Sequence, residues 1–369
     1  MFTYNTLIFV IVSGVAILPL KIPRIAKCLL AFAVGAIAFR LRIFAFITGH
    51  PFVPPPIPGW LYLIMAGLLF ALIVFALLLI LPGVWRLIRA AKGGKWRTAA
   101  DRKTDLALLL ISLLVAAWGL YNGAREPVVK SYTVTIPHLP EEAKGVKIAV
   151  LTDIHADLRC SAQDIRRIVE KTNRLNADII ALLGDNMDGY YKGENDALAK
   201  KLSELGDLRA KYGVFGVAGN HEYYSGYRDW NGFFLDHHIQ MLENAHVDLP
   251  CHLTVAGITN SQSEKTGDVV PDAGRAISGS RYPAILLSHV PRDAAKNAEL
   301  GYILQISGHT HGGLFPGVKK YVADHNDGFV SGWYEVNKMK LYVSDGTGIW
   351  GGMPVRFGTT AEITLITLQ

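Results

Sequence analysis

The stretch "GYILQISGHTHGG", residues 301–313, runs a short apolar segment into two histidines, His309 and His311, set one residue apart among glycines. A histidine pair in a glycine-rich turn is by itself as readily a surface loop as a site. The residues before it, "YILQIS", read as a buried strand. The pair therefore falls where a strand gives way to its loop, which is where α/β folds place chemistry.

Working outward, the same construction recurs. "VKIAVL" leads into "LTDIHAD", which supplies Asp153 and His155, and "ADIIALL" leads into "GDNMDG", which supplies Asp185. "GVFGVAG" leads into "GNHE", with Asn220 and His221, and "YPAILLS" leads into His289. Between them, "SAQDIRRIVEKTNRL" predicts a helix opened by Ser161, and "ENDALAKKLSELGDLRAKY" predicts a single amphipathic helix. After Pro250 strands dominate, through the hairpin-like residues 329–344 to "AEITLITL" at the end.

Taken singly, an Asp after a strand is usually a helix cap or turn former, and a lone buried His is usually a hydrogen-bonded core residue. Five such groups at strand C-termini call for a common purpose. Carboxylate, imidazole and amide oxygen together suit Mn, Fe, Zn or Co, and the lack of thiolate argues against a structural zinc site. Seven candidate ligands exceed what one ion takes, so two divalent metal ions sharing a bridging carboxylate are expected. Such a pair is the usual means of displacing an ester at phosphorus.

The order Asp-x-His, Gly-Asp, Gly-Asn-His, a single His and Gly-His-x-His resembles the metallophosphoesterases, also called calcineurin-like phosphoesterases, over residues of about 130–369. The tail "YVSDGTGIWGGMPVRFGTTAEITLITL" is similar to the membrane-associated bacterial subgroup. The resemblance implies a four-layer α/β/β/α sandwich, with Asp153, His155 and His311 on one ion, Asn220, His289 and His309 on the other, and Asp185 bridging. It implies that His221, outside the ligand set, assists the leaving group as an acid or steadies the attacked phosphate. Glu222 stands where Asp is commoner and is expected to hold its loop.

Half of the 369 residues are hydrophobic and the mean hydropathy is +0.25, with the apolar excess before about residue 123. Four apolar runs, residues 7–20, 25–48, 60–81 and 105–121, predict an all-α membrane region of about four helices over residues 1–123. A linker and first strand (124–144) and the catalytic domain (145–369) then follow. The first run lacks the charged lead and small-residue cleavage site of a signal peptide.

Arg86, Arg89, Lys92, Lys95, Arg97, Arg102 and Lys103 crowd one inter-helix segment against Asp101 alone, and Lys21, Arg24 and Lys27 mark the first loop. By the positive-inside bias both loops are cytoplasmic. The chain is expected in a bacterial cytoplasmic membrane, multi-pass, with its catalytic domain outside the cytoplasm. Arg40 and Arg42 read as interfacial anchors. Residues 146–369 carry 22 Lys+Arg against 26 Asp+Glu, a net charge of −4, so the formal +6 of the whole chain is a topology signal and no nucleic-acid partner is expected.

The expected function is hydrolysis of an extracytoplasmic phosphate ester, a phosphodiester or lipid-linked headgroup, by a membrane-anchored dinuclear enzyme. Pyrophosphate hydrolysis of a lipid-linked nucleotide sugar and a non-catalytic metal-binding scaffold are the alternatives. "GTGIWG", residues 346–351, has dinucleotide-motif spacing, but only a strand follows where that site needs a helix. His237, His238, His246, His252 and His325 fit no part of the metal pattern. Tyr223 and Tyr224 could line the cleft or pack, Lys319 and Lys320 are expected to face water, and Cys160 and Cys251 leave a disulfide open.

Overall fold

A computed structural model describes residues 2–96 and 98–369; Arg97, counted above among the basic residues, lies outside them. Twelve strands form two six-stranded sheets. In chain order they are β1 (Val128–Val134), β2 (Lys147–Leu151), β3 (Ile179–Leu182), β4 (Gly213–Gly216), β5 (Gln240–Met241), β6 (Ala245–Leu249), β7 (Leu253–Gly257), β8 (Ala284–Leu287), β9 (Leu304–Ser307), β10 (Gly332–Val336), β11 (Met339–Val343) and β12 (Glu362–Leu368). The first sheet runs β1-β12-β2-β3-β4-β5 and the second β10-β11-β9-β8-β7-β6. Both are mixed: β2 to β5 are parallel with β12 antiparallel to β2, and β7, β8, β9 and β11 are parallel between two antiparallel edges.

The two-residue period of a strand explains the layering. Ile148 and Val150 point from β2 into the core shared with Val255, Ile285 and Ile306 of the second sheet. Ala149 and Leu151 point the other way, onto Ile165 and Val169 of the helix Ala162–Asn173 and onto Trp230 and Phe234 of the helix Tyr227–Asp236. On the outer face of the second sheet, Leu286, Leu341 and Val343 pack with Ala276 and Ala294 of short helices. This is the expected four-layer arrangement. Buried on both faces, the central strands read as near-continuous apolar runs. Ser161 opens its helix as predicted, in a capping box with Asp164. The helix expected over residues 194–212 instead stops after Ala197–Leu202 and continues as a 3₁₀ turn, Ser203–Asp207, which buries Leu202 and Leu205 in the same layer.

The apolar region consists of α1 (Phe2–Ile11), prolonged by the π-helical Val12–Ile17, then α2 (Arg24–Ala38), α3 (Arg40–Thr48), α4 (Gly59–Ala91) and α5 (Ala99–Gly123). Among the described residues, α4 and α5 are long and apolar enough to cross a membrane; α2 with α3 adds a third only if a pair bent by 64° counts as one span. The expectation of about four spans is thus reduced to two or three. The first helix is too short, and the second run breaks at Phe39. Arg40, read as an interfacial anchor, is fully buried and donates to the Gly352 carbonyl of the catalytic domain. At the other end of α4, Arg86 pairs with Asp105 of α5 at 2.7 Å. Near its N-terminus, a Cβ on Gly59 would overlap the Leu158 carbonyl, and Phe70 stacks on Phe357 at 5.6 Å. The helices and the sandwich therefore share packed surfaces.

Candidate metal centre

The parallel strands β2, β3 and β4 of one sheet and β8 and β9 of the other end at the same edge, and their C-terminal loops deliver the chemistry. Asp153 and His155 follow β2, Asp185 follows β3, and Asn220 and His221 lie in the single turn Asn220–Tyr224 after β4. His289 follows β8, and His309 and His311 follow β9. Five of these residues, Asp153, His155, Asp185, His309 and His311, hold left-handed backbone with φ of 48° to 73°. For residues carrying a Cβ this conformation costs free energy and gathers at functional sites.

Two glycines let the loops close up. A Cβ on Gly219 would run into Asp185 Oδ1 and the His289 ring, and one on Gly308 would run into the Thr152 hydroxyl and Asp153 Oδ2. Glu222 fixes the turn as expected, its carboxylate accepting from the backbone N–H groups of Gly219, Asp185 and Asn186, each at 2.8 Å.

Two clusters result, buried except for the half-buried His309, with His155, Asp185 and His221 grouped between them. In the first, Asp153, His155 and His311 converge, with His155 Nε2 3.1 Å from His311 Nε2 and His311 Nε2 3.6 Å from Asp153 Oδ1. In the second, Asp185, His289 and His309 converge, with His289 Nε2 3.2 Å from both His309 Nδ1 and Asn220 Oδ1. Asp185 Oδ2 lies between them, 3.8 Å from His155 Nε2 and 3.3 Å from His289 Nε2. All seven residues proposed from sequence are thus brought together.

This donor set fits divalent cations. The donors are imidazole nitrogens, carboxylates and one amide oxygen, and His289 Nδ1 is held by the Leu183 carbonyl at 2.7 Å, leaving Nε2 aimed at Asp185. Burial, together with the neighbouring imidazole of His289, pushes His309 down to about 3, so its ring is neutral and offers a lone pair.

His221 stands at the junction. Its Nδ1 lies 2.5 Å from Asp188 Oδ1, and its Nε2 faces Asp185 Oδ2 at 4.0 Å. Burial disfavours the imidazolium, but the carboxylates of Asp185 and Asp188 outweigh it and raise His221 to about 9. Asp188 also meets His155 Nδ1 at 3.1 Å, so one buried carboxylate orients two site histidines. Sequence reading passed over Asp188; the second Asp of "GDNMDG" was its only signal.

The other surprise comes from the apolar region. The loop between α3 and α4 sets Phe52 against His221 (5.6 Å between ring centroids), Tyr224 (5.3 Å) and Trp350 (5.3 Å), while His50 stacks on Tyr224 at 4.5 Å. Tyr224 therefore faces the site, whereas Tyr223 stacks on Tyr227. No helix follows residues 346–351, as expected of a chance glycine spacing. Lys319 and Lys320 are exposed. Of the five histidines set aside, His237, His246 and His325 bond to nearby carbonyls and His252 meets Glu142. Cys28, Cys160 and Cys251 are all free.

The family model of calcineurin-like phosphoesterases matches residues 146–313, which hold the seven candidate ligands, Asp188, His221 and Glu222. An uncharacterized metallophosphoesterase of Campylobacter jejuni is 32% identical over 270 residues, covering 72% of this chain and 69% of that protein. A transmembrane protein with metallophosphoesterase domain from Danio rerio is 30% identical over 336 residues, covering 85% and 74%. Among solved structures, a 5'-nucleotidase precursor from Thermus thermophilus matches at 15% identity with a TM-score of 0.37, over 60% of this chain and 54% of that one. With two relatives of this identity and extent, and the motifs assembled into one buried centre, the chain belongs to the calcineurin-like phosphoesterase family and is a metal-dependent phosphoesterase.

Proposed function

We propose that the chain is a membrane-embedded dinuclear phosphoesterase that hydrolyses an extracytoplasmic phosphodiester or lipid-linked headgroup. The observation that carries this reading is Asp185, whose Oδ2 lies within 4 Å of histidines from both clusters. Asp153, His155 and His311 would hold one cation, Asn220, His289 and His309 the other, and Asp185 both. Bound there, the cations would supply positive charge for the phosphoryl oxygens and make a nearby water more acidic. Everything else falls to the chain's own groups. Asp188 accepts a hydrogen bond from the Nδ1–H of His221, which turns Nε2 toward the centre as the donor to a departing oxygen. Phe52, Tyr224 and Trp350 crowd that side of His221 and keep it from bulk water.

The topology is inferred from the basic segment between α4 and α5. Both helices meet the catalytic domain at the end away from it, through Gly59 and Phe70 in α4 and Gly119 and Gly123 in α5. The basic segment then lies on the cytoplasmic side and the catalytic domain outside. A bacterial cytoplasmic membrane fits this arrangement. The net charge of −4 on residues 146–369 argues against nucleic acid as substrate.

The test is hydrolysis of bis-p-nitrophenyl phosphate and p-nitrophenyl phosphate by detergent-purified, Mn²⁺-loaded protein, with bound metal counted. Diester turnover lost in Asp185→Asn and His221→Ala is the expected result. Two bound ions without turnover of either ester would instead favour the scaffold reading.

A further inference from the structure

A groove of about 350 Å³ lies between α1, α4 and the loops that follow β9 and β11. Leu7 and Ile11 of α1, Ile73 and Leu77 of α4, and Phe315 and Trp350 of the loops line it, and every lining side chain is apolar or aromatic. Leu314 faces it from backbone at φ 58°, a conformation that is a genuine outlier for a bulky residue. Such a wall suits neither a sugar nor a nucleotide. It suits hydrocarbon.

Three features say which hydrocarbon. The groove lies where α4 leaves the catalytic domain: the helix, at 33 residues, is about 50 Å long, roughly 20 Å more than a bilayer's hydrocarbon core. Its early residues Tyr62 and Phe70 pack on catalytic loops, whereas Leu77 and Ile80, which line the groove, are exposed to the surroundings of the helix. The groove's inner end joins the site, because Trp350 packs edge-on to Phe52, which packs on His221. Finally, that end holds unsatisfied donors. Trp350 Nε1 is buried with no partner, and Arg40, fully buried, donates to Gly352 between the lining residues Trp350 and Met353 while its Nε and Nη1 have none. A buried cation so placed calls for an anionic acceptor.

We propose that this groove receives the hydrocarbon chain of an anionic lipid phosphate ester that enters sideways from the bilayer, with its phosphate directed past Trp350 and Arg40 to the metal centre. The proposal rests on the phosphoesterase reading above and assigns its substrate class and the residues that select it.

Methyl p-nitrophenyl phosphate and hexadecyl p-nitrophenyl phosphate differ only in chain. Hydrolysis of either joins a water oxygen to phosphorus and releases p-nitrophenolate and the alkyl phosphate. Mn²⁺-loaded full-length protein in mixed micelles is expected to favour the hexadecyl ester in kcat/KM by at least about tenfold, and that ratio should fall toward unity in Ile73→Trp and in Val318→Trp, which fill the groove. Equal rates in the unmodified protein, or a preference that survives both substitutions, would overturn the proposal. Failure to turn over either ester would count against the phosphoesterase reading, and binding then decides the groove separately. Addition of 12-bromododecyl phosphate should quench the part of the emission that Trp350→Phe removes; no such quenching overturns the proposal whatever the activity.

Discussion

Glu222 carries no chemistry of its own and yet positions Asp185, a proposed metal ligand. Its carboxylate takes three backbone N–H groups, from Gly219, Asp185 and Asn186, in a site only 1% exposed. Glu222→Ala leaves those donors buried and unpaired, at about 1–3 kcal/mol for each that finds no water. It should lower the unfolding temperature and reduce bound metal together. Glu222→Asp should retain part of both, and equal loss in the two variants would show that the hydrogen bonds are not the reason. Asp188 acts differently, through His155 and His221. Asp188→Asn keeps size and packing but takes away the negative acceptor, so kcat should drop by about 10–100-fold while the fold persists, measured on bis-p-nitrophenyl phosphate beside a thermal melt. Metal removal is the third expectation at this scale. Asp153 and Asp185 are at most 2% exposed, and a chelator would strip them of their proposed counter-charge. EDTA should therefore lower the melting temperature, by an amount worth about 3 kcal/mol per ion at a hundredfold excess over Kd, and the drop should shrink in Asp185→Asn.

The elements show what could be read from sequence and what could not. Strands β2, β3, β8 and β9 were legible because burial on both faces makes them unbroken apolar runs, and a loop that must return polar groups to a fixed edge announces itself as glycine beside Asp or His. Asp185, Asn220 and the pair His309 and His311 were visible for that reason, whereas Asp153 and His155, in "LTDIHAD" with no glycine beside them, were visible because they directly follow the apolar run of β2. The same reasoning explains "GTGIWG", which has nothing to do with a dinucleotide. A Cβ on Gly348 would overlap the Ile154 carbonyl, and Thr347 N–H donates to the Thr152 carbonyl at 2.7 Å, so the segment is glycine-rich because it lies flat on the loop that carries Asp153 and His155. Gly348→Ala must push that loop aside. It should destabilise the protein by about 1–3 kcal/mol and reduce metal content, whereas Gly358→Ala, with nothing near its Cβ, should cost less in metal although its φ of 79° strains the backbone. Phe52 and His50 were not legible. They sit in a proline-rich connection without periodicity, and their partners His221, Tyr224 and Trp350 are more than 160 residues away, so only the folded chain brings them together. The bend at Phe39 escaped for a related reason: Arg40 and Arg42 interrupt the apolar run there, but read locally they are interfacial anchors, and the pull on Arg40 comes from the distant Gly352.

At the scale of the whole molecule, the apolar region does more than tether. Phe70 lies between Phe315 and Phe357, Val355 packs with Ala116 of α5, and Tyr62 shares a cluster with Trp350, so the catalytic domain completes several of its own loops against α4 and α5. Two of those loops border the site: residues 350–357 follow the segment lying on Asp153, and residues 314–315 follow His311. Cutting the chain before residue 124 would expose Trp350, Val355, Phe315 and Phe357 at once, each carrying on the order of 1.5–3 kcal/mol of burial. A tethered soluble domain would survive such a cut as a monomer with its diester activity intact. For this chain the expectation is the opposite: residues 124–369 alone should self-associate without detergent, and in detergent should lose metal and activity, even though both six-stranded sheets lie wholly within the fragment and should keep their circular dichroism signature. Size-exclusion chromatography, metal analysis and turnover of bis-p-nitrophenyl phosphate on the fragment beside the full chain make the comparison. A monomeric, fully active fragment would return the helices to the part of an anchor, and would leave Phe52 with no part in shaping the surroundings of His221.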